Sequence, residues 1–487
     1  MSKSIFWYDF ESTGIDPRRD CPLQVAGVRT DENLQEIGEP LCIDCRISED
    51  ILPHPMACLV TGISPERALS GLPEAQFIHL LHEQMVVPGT CTAGYNNLRY
   101  DDEMTRFSLY RNYFDPYARE WQGGNSRWDL LDALRTAHAL RPEGINWPQQ
   151  DGFTSLRLEL LTAANGIDHG QAHDALADVR ATIAMARLLK QAQPRLYKYL
   201  YDLRSKHKVS ELIDLQNLRP LVHVSGRFGR ERKGLALILP LAWHPRNRNA
   251  LIVWDLAVEP HLLQDLSAEQ LCERLYTRND QLAPGEQRPG LKLVHINKCP
   301  VLADAKVLRA QDIERLQLDM PLLNERAQWL AQWRISGQQK LAAVYAERQP
   351  ASQEDAGEPD PETQLYDGFM ADRDRQLLPA IRQADGATLN AAHWPLQDQR
   401  LADILKRYRA RNFPESLNDA ETDEWHYFCS QKLSGRATGA PLTFEMFMRD
   451  MEQAMSGADE AQRELLTQWQ EYALALMNKL KMKSPGI

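Results

Sequence analysis

Two carboxylates stand two residues apart near the amino terminus, in "SIFWYDFESTG", Ser4 to Gly14. A β-strand would put Ile5, Trp7, Asp9 and Glu11 on one face and Phe6, Tyr8 and Phe10 on the other. Neighbouring carboxylates repel and resist desolvation, a cost that a divalent cation with hard oxygen ligands removes. The alternative is a strand running out into a polar turn at Glu11-Ser12-Thr13-Gly14. More acidic residues stand in "GYNNLRYDDEMTRFSLYR", where an Asn-rich turn precedes a helical pattern with Met104, Phe107 and Tyr110 on one side. Asp101 opens that helix, either as its N-cap or projecting toward a site beyond the strand ends, and Asp102 and Glu103 suit the dipole of a first turn. In "GQAHDALADVRATIAMARLLKQ", Asp174 is the expected N-cap of a helix with an apolar stripe at Leu176, Val179, Ile183 and Ala186. His173 then precedes the helix and Asp178 lies on its first turn, so both can approach one point.

These residue types suit phosphodiester hydrolysis. That reaction needs an activated water, relief of charge on the phosphate and support for the leaving oxygen, all supplied by a two-metal site. Asp9, Glu11, Asp101 and Asp178 are the expected metal ligands. His173 is the expected general base, because an ordinary imidazole pKa of about 6.5 is close to working pH.

The surrounding elements follow from pattern and punctuation. The first ~190 residues mix strands and helices in α/β fashion. From Leu235 to Leu302, short strand-like runs such as "LALILPLAW" and "LKLVHI" alternate with turns, as in a small all-β barrel or sandwich. A Pro-rich acidic linker, Gln349 to Thr363, is followed by amphipathic helical patterns such as "LADILKRYRARNF". The expected division is 1–192, 193–348, linker 349–363, and 364–487. Net charge is −11 over 487 residues, yet residues 202–348 carry 22 Lys and Arg against 17 Asp and Glu. Positive charge gathers in the middle, where a local field can favour a polyanion despite the acidic total. Its loop "SGRFGRERKG" gathers Arg227, Arg230, Arg232 and Lys233. No apolar run approaches the ~18 residues of a membrane span, and the reading is a cytoplasmic protein. Eight cysteines are too few for a disulfide framework, and the Cys42-x-x-Cys45 spacing reads as coincidence on a strand.

Taken in order, Asp9-x-Glu11-x-Thr13-Gly14, Asn97-x-x-x-Asp101 and His173-x-x-x-x-Asp178 resemble the DEDDh exonucleases of the proofreading superfamily. "YNNLRYDDE", "YRNYFDPYA", "NSRWDLLD", "LRPEGINWP", "LVHVSG", "PLAWHP", "LVHINKCPVL" and "YRARNFP" extend the resemblance to the bacterial exodeoxyribonuclease I family, over about residues 4 to 480. It implies an α/β ribonuclease H-like exonuclease domain with a mixed sheet flanked by helices, a small SH3-like barrel and an α-helical C-terminal domain. It also implies 3′→5′ degradation of single-stranded DNA to 5′-mononucleotides, processive because the added domains close a groove, in DNA repair and recombination at the nucleoid. Two Mg²⁺ ions are implied, with Mn²⁺ as an alternative. So are binding to the acidic C-terminal tail of single-stranded DNA-binding protein and a monomeric state.

Arg157 in "FTSLRLELL" looks like the arginine this family sets against substrate, with Glu11 also facing it. Trp128, Arg141 and Trp147 are candidates to stack bases and hold phosphates, and Arg227 and Arg230 to guide the strand. Asp101 and Asp102 are adjacent, and Asp101 is preferred by its spacing from Asn97 and by helix phase. The alternative functions are a 3′→5′ exoribonuclease on the same core, which carboxylates alone cannot distinguish, and a non-catalytic single-strand-binding recruitment module.

Overall fold

The alternation read in the first stretch is realised in β1 (Ser4–Ser12). Phe6, Tyr8 and Phe10 join Val25, Phe77, Ile78, Leu81 and Met104 in one core cluster. On the opposite face Trp7 is buried and donates its indole N–H to Thr30 Oγ1 at 3.0 Å. β1 pairs antiparallel with β2 (Pro22–Asp31), which pairs antiparallel with β3 (Leu41–Asp44). On its other side β1 runs parallel to β4 (Thr90–Gly94), giving a mixed sheet in the order β3-β2-β1-β4. Between β3 and β4 come the short helices α1 (Pro55–Thr61) and α2 (Pro65–Ser70) and the longer α3 (Glu74–Met85). α3 supplies Phe77, Ile78 and Leu81 to the core under β1. α4 (Asp101–Arg111) follows β4.

The computed structural model describes residues 3–168, 174–346 and 359–482. His173 and positions 349–358 of the expected linker lie outside the described residues. The chain forms two compact units, one of residues 1–126, 169–183 and 354–487, the other of residues 127–168 and 184–353. It leaves the first unit through β5 (Ser126–Asp129), α5 (Leu130–Leu140), the two-residue strands β6 (Gln149–Gln150) and β7 (Phe153–Thr154), and α6 (Leu158–Ala164). It returns through α7 (Ala175–Ala192), where Asp174 Oδ2 accepts from the Ala177 N–H at 3.3 Å, as expected of an N-cap.

The second unit is built on an antiparallel sheet of β8 (Leu221–Val224), β9 (Leu235–Trp243), β10 (Ala250–Asp255), β11 (Leu291–His295) and β12 (Val301–Asp304), ordered β11-β10-β9-β8-β12. The strands lie where the apolar runs placed them. The all-β description of this segment omits a 25-residue helix, Met320–Val344, which Asp319 caps by accepting from the Leu322 N–H. Cys45 is buried while Cys42 is exposed, so the spaced pair faces no common site. No helix among the described residues is long and apolar enough to cross a membrane.

The helical segment after residue 359 shares a core with the amino-terminal part of its unit. Leu23, Ile47, Leu52 and Cys58 pack in one cluster with Trp425, Phe447 and Trp469. A buried ionic node lies beside it: Asp50 accepts from Arg411 Nη2 at 2.7 Å and from Lys432 Nζ at 2.6 Å. Burial alone would raise the Asp50 carboxyl, but Arg411 and Lys432 hold it well below the usual carboxylate range. A depressed folded-state pKa contributes stability above the unfolded carboxylate value, and that contribution is lost as pH falls through the folded one. Asp50→Ala strands the buried Lys432 ammonium and leaves Arg411 with Glu362 alone, and should cost about 3–5 kcal/mol in urea unfolding followed by tryptophan fluorescence. The deficit should be full at neutral pH and shrink only in strong acid.

Candidate active site

Asp9 and Glu11 come from the last turn of the pleat in β1, and Asp178 from the first turn of α7. One carboxylate oxygen from each lies within 4.8 Å of the others. Two elements distant in sequence order therefore deliver three oxygen donors to one point, as a hard divalent cation requires. A register shift between Glu11 and Ser12 precedes the last pair of the β1–β2 ladder, Ser12 with Pro22, just past the carboxylates. The turn is fixed by hydroxyls: Tyr100 O–H donates to the Gly14 carbonyl at 2.5 Å, and Ser12 Oγ lies 2.5 Å from the same phenol oxygen. A Cβ at Gly14 would lie 2.6 Å from both Asp20 carboxylate oxygens and from His54 Cδ2, so a larger residue there would have to displace one of those side chains.

Asp101 and Asp102 separate cleanly. Asp101 is the first residue of α4 and does not cap it, the cap position being Tyr100. Its Oδ1 accepts the Phe10 N–H at 3.0 Å, which ties it to β1 between the two carboxylates. Asp102 faces the other side of the sheet, accepting from Tyr8 O–H at 2.5 Å and from Arg119 Nη2 at 2.9 Å, with both charged side chains fully buried. Its carboxylate balances an arginine in the core, whereas Asp101 acts on Asp9.

The site is electrostatically unfavourable to itself. Burial, and then Asp101 and Asp178, raise the Asp9 carboxyl well above the usual range. Burial, with Asp9, Asp178 and Asp174, pushes Glu11 up to about 9, while Arg67 pulls the other way. The donor set therefore fits a divalent cation on chemical grounds: hard oxygens, buried, carrying repulsion that a bound cation cancels.

The other expected residues are distributed differently. Arg157 sits exposed at the start of α6 in the second unit, paired with Glu159. Trp128 is buried, edge-on to Tyr197 and Tyr201, so its indole fills a core and does not offer a face to a base. The Arg141 guanidinium donates to Asp312 at 3.0 Å and to the Val307 carbonyl at 2.8 Å, holding α5 within its own unit. Trp147 donates to the Pro142 carbonyl. Arg227 and Arg230 are exposed on the loop after β8, whereas Arg232 pairs with Asp255 and Phe228 is buried. Tyr100 and Arg67 carry no sequence signal that marks them as neighbours of Glu11, because their proximity arises only when β1, α2 and α4 are assembled.

Residues 6–186 match the family described as Exonuclease, 204–347 the Exonuclease I SH3-like domain and 359–476 the Exonuclease I C-terminal domain. The exodeoxyribonuclease I of Escherichia coli K12 is 45% identical over 466 residues, covering 93% of this chain and 95% of its own. The chain belongs to the exodeoxyribonuclease I family. As a member it is an exonuclease and a hydrolase, and the SH3-like and helical parts expected from its sequence are family domains. The exonuclease I of Methylocaldum szegediense superposes with a TM-score of 0.91 at 46% identity, over 98% of this chain and 100% of that one. The zinc-bound form of the E. coli exonuclease I complex with single-stranded DNA gives 0.90 at 42% identity, over 98% and 100%.

Two stability measurements check the electrostatic reading of this family member. A carboxyl with a raised folded-state pKa favours folding most at low pH, and that contribution is lost as pH rises from about 4.5 toward 9. In EDTA, Glu11→Gln should therefore match the wild-type Tm near pH 5 and exceed it increasingly toward pH 9. Excess Mg²⁺ should reverse the order. Asp102→Asn, which leaves the buried Arg119 only Glu120 at 4.0 Å as counter-charge, should cost about 3–5 kcal/mol, while Asp101→Asn should leave Tm unchanged or raise it.

Proposed function

We propose that this exonuclease degrades single-stranded DNA from the 3′ end to 5′-mononucleotides, dependent on a divalent metal. The observation that carries the reading is the meeting of Asp9, Glu11 and Asp178 oxygens within 4.8 Å in a chain of this family. Asp9, Glu11 and Asp178, with Asp101 beside Asp9, are the residues that would hold the metal. Two bound Mg²⁺ ions, or Mn²⁺ in their place, would supply positive charge at the phosphate and an activated water.

The chain's own residues do the rest. β1 and α7 fix the donors before substrate arrives, so little reorganisation is needed at the moment of reaction. The Phe10 N–H holds Asp101 in place. His173, one residue before the Asp174 cap, takes the proton from the attacking water as general base. Glu11 also faces the terminal nucleotide, and Arg157 contributes a phosphate contact. Arg227 and Arg230 guide the strand electrostatically.

The single-stranded DNA complex of the E. coli relative supports the substrate assignment. The further reading is a monomer acting in the cytoplasm in repair and recombination, processive, and recruited by the acidic tail of single-stranded DNA-binding protein. Its domains would span 1–192, 193–348 and 364–487, joined by a linker at 349–363.

A 5′-labelled single strand incubated with Mg²⁺ should shorten from its 3′ end and release mononucleotides, and EDTA should stop it. Asp9→Ala and His173→Ala should each lower kcat by about a thousandfold or more. Unchanged cleavage in Asp9→Ala removes the assignment of the site, and equal rates on RNA and DNA remove the choice of sugar.

A further inference from the structure

The face that carries Asp9 and Glu11 does not end at β1. Glu11 stands opposite Gln24 on β2, and Gln24 opposite Asp44 on β3. Residues paired across a ladder project to one face, so a lateral row Glu11–Gln24–Asp44 runs from the carboxylate site to the β3 edge. Gln24 Nε2 donates to Asp44 Oδ1 at 3.1 Å, which joins the row. Asp44 in turn accepts a fork from Arg67 of α2, Nε to Oδ2 and Nη2 to Oδ1, each at 2.8 Å. The third guanidinium nitrogen, Nη1, has no protein partner among the described residues, and the side chain is 43% exposed.

An anionic strand approaching this face meets the carboxylates of Asp9, Glu11, Asp178, Asp174 and Asp44. Arg67 is a cation set among them: its charge acts on Glu11 at one end and on Cys42 and Asp174 nearby. A guanidinium held by a carboxylate fork loses little further rotamer freedom when its open edge meets phosphate oxygens. Its neighbour Asp44 would otherwise repel the same phosphate.

We propose that Arg67, oriented by Asp44, binds a backbone phosphate of the substrate strand at the β3 edge of the carboxylate face. The proposal rests on the nuclease reading above. The competing role is a purely local one, in which Arg67 only neutralises Asp44.

The test compares wild type, Arg67→Gln, Asp44→Asn and the double variant in two arms. One is anisotropy of a labelled single strand in EDTA across a NaCl series, and the other is steady-state cleavage with Mg²⁺. Loss of a phosphate contact should raise Kd and KM about tenfold in Arg67→Gln, with kcat within about twofold. The slope of log Kd against log salt should fall by about 0.7, the share of one phosphate on a single strand. The double variant should remain as weak as Arg67→Gln. Recovery of wild-type Kd and slope in the double variant would overturn the proposal in favour of simple neutralisation, as would an unchanged slope in Arg67→Gln. A wild-type protein that binds the strand without cleaving it would defeat the nuclease reading alone, because the binding arm reads Arg67 without turnover.

Discussion

Burying several carboxylates at the end of a central strand is the constraint on which the rest of this structure depends. Asp9 and Glu11 lie on a strand whose other residues are almost wholly enclosed, and Asp178 and Asp101 are brought against them. Left alone, these groups would favour protonation or local opening. The first unit resists that with rigid supports: the opposite face of β1 is packed with Phe6, Tyr8 and Phe10, and the turn after it is bolted by Tyr100 and Asp20. Strain of this kind is tolerable only when the scaffold is over-determined around it.

The helical segment belongs to that scaffold. Its tryptophans and phenylalanines complete a core begun by Leu23, Ile47 and Leu52, close in sequence to the site strands. Around this core, arginines serve as buried connectors: Arg411 to Asp50 and Glu362, Arg111 to Glu74, and Arg106 to Glu120. Buried ion pairs add little net stability over apolar packing, yet each is costly to half-remove, so they specify which segments meet. A chain with a large acidic excess can thus keep its acidic groups away from one another except where the site needs them together.

The fold class and the carboxylates were legible in the sequence because each rests on short-range pattern. Period-two alternation placed β1, and a capping aspartate before an apolar stripe placed α7 and put Asp178 on its first turn. Spacing from Asn97 and helix phase favoured Asp101 over Asp102 in the sequence by a single residue, while the Tyr8 and Arg119 partners of Asp102 come from other segments. Trp128 and Arg141 show the opposite outcome. An aromatic and a basic residue in a chain that acts on nucleic acid suggest stacking and phosphate contact, but composition cannot reveal that Trp128 packs edge-on to Tyr197 and Tyr201 or that Arg141 pairs with Asp312.

By itself, then, the sequence determined which residues could carry the chemistry and which local elements would hold them, because strand alternation and helix capping act within a few residues. Only the tertiary structure decided which of those groups share a point in space, which face buried core, and which unmarked residues stand beside the site. Arg67 and Glu11 are neighbours in effect because strand register carries a row of side chains across β1, β2 and β3. Register is a property of paired strands, set when all three assemble, and no single strand's sequence contains it.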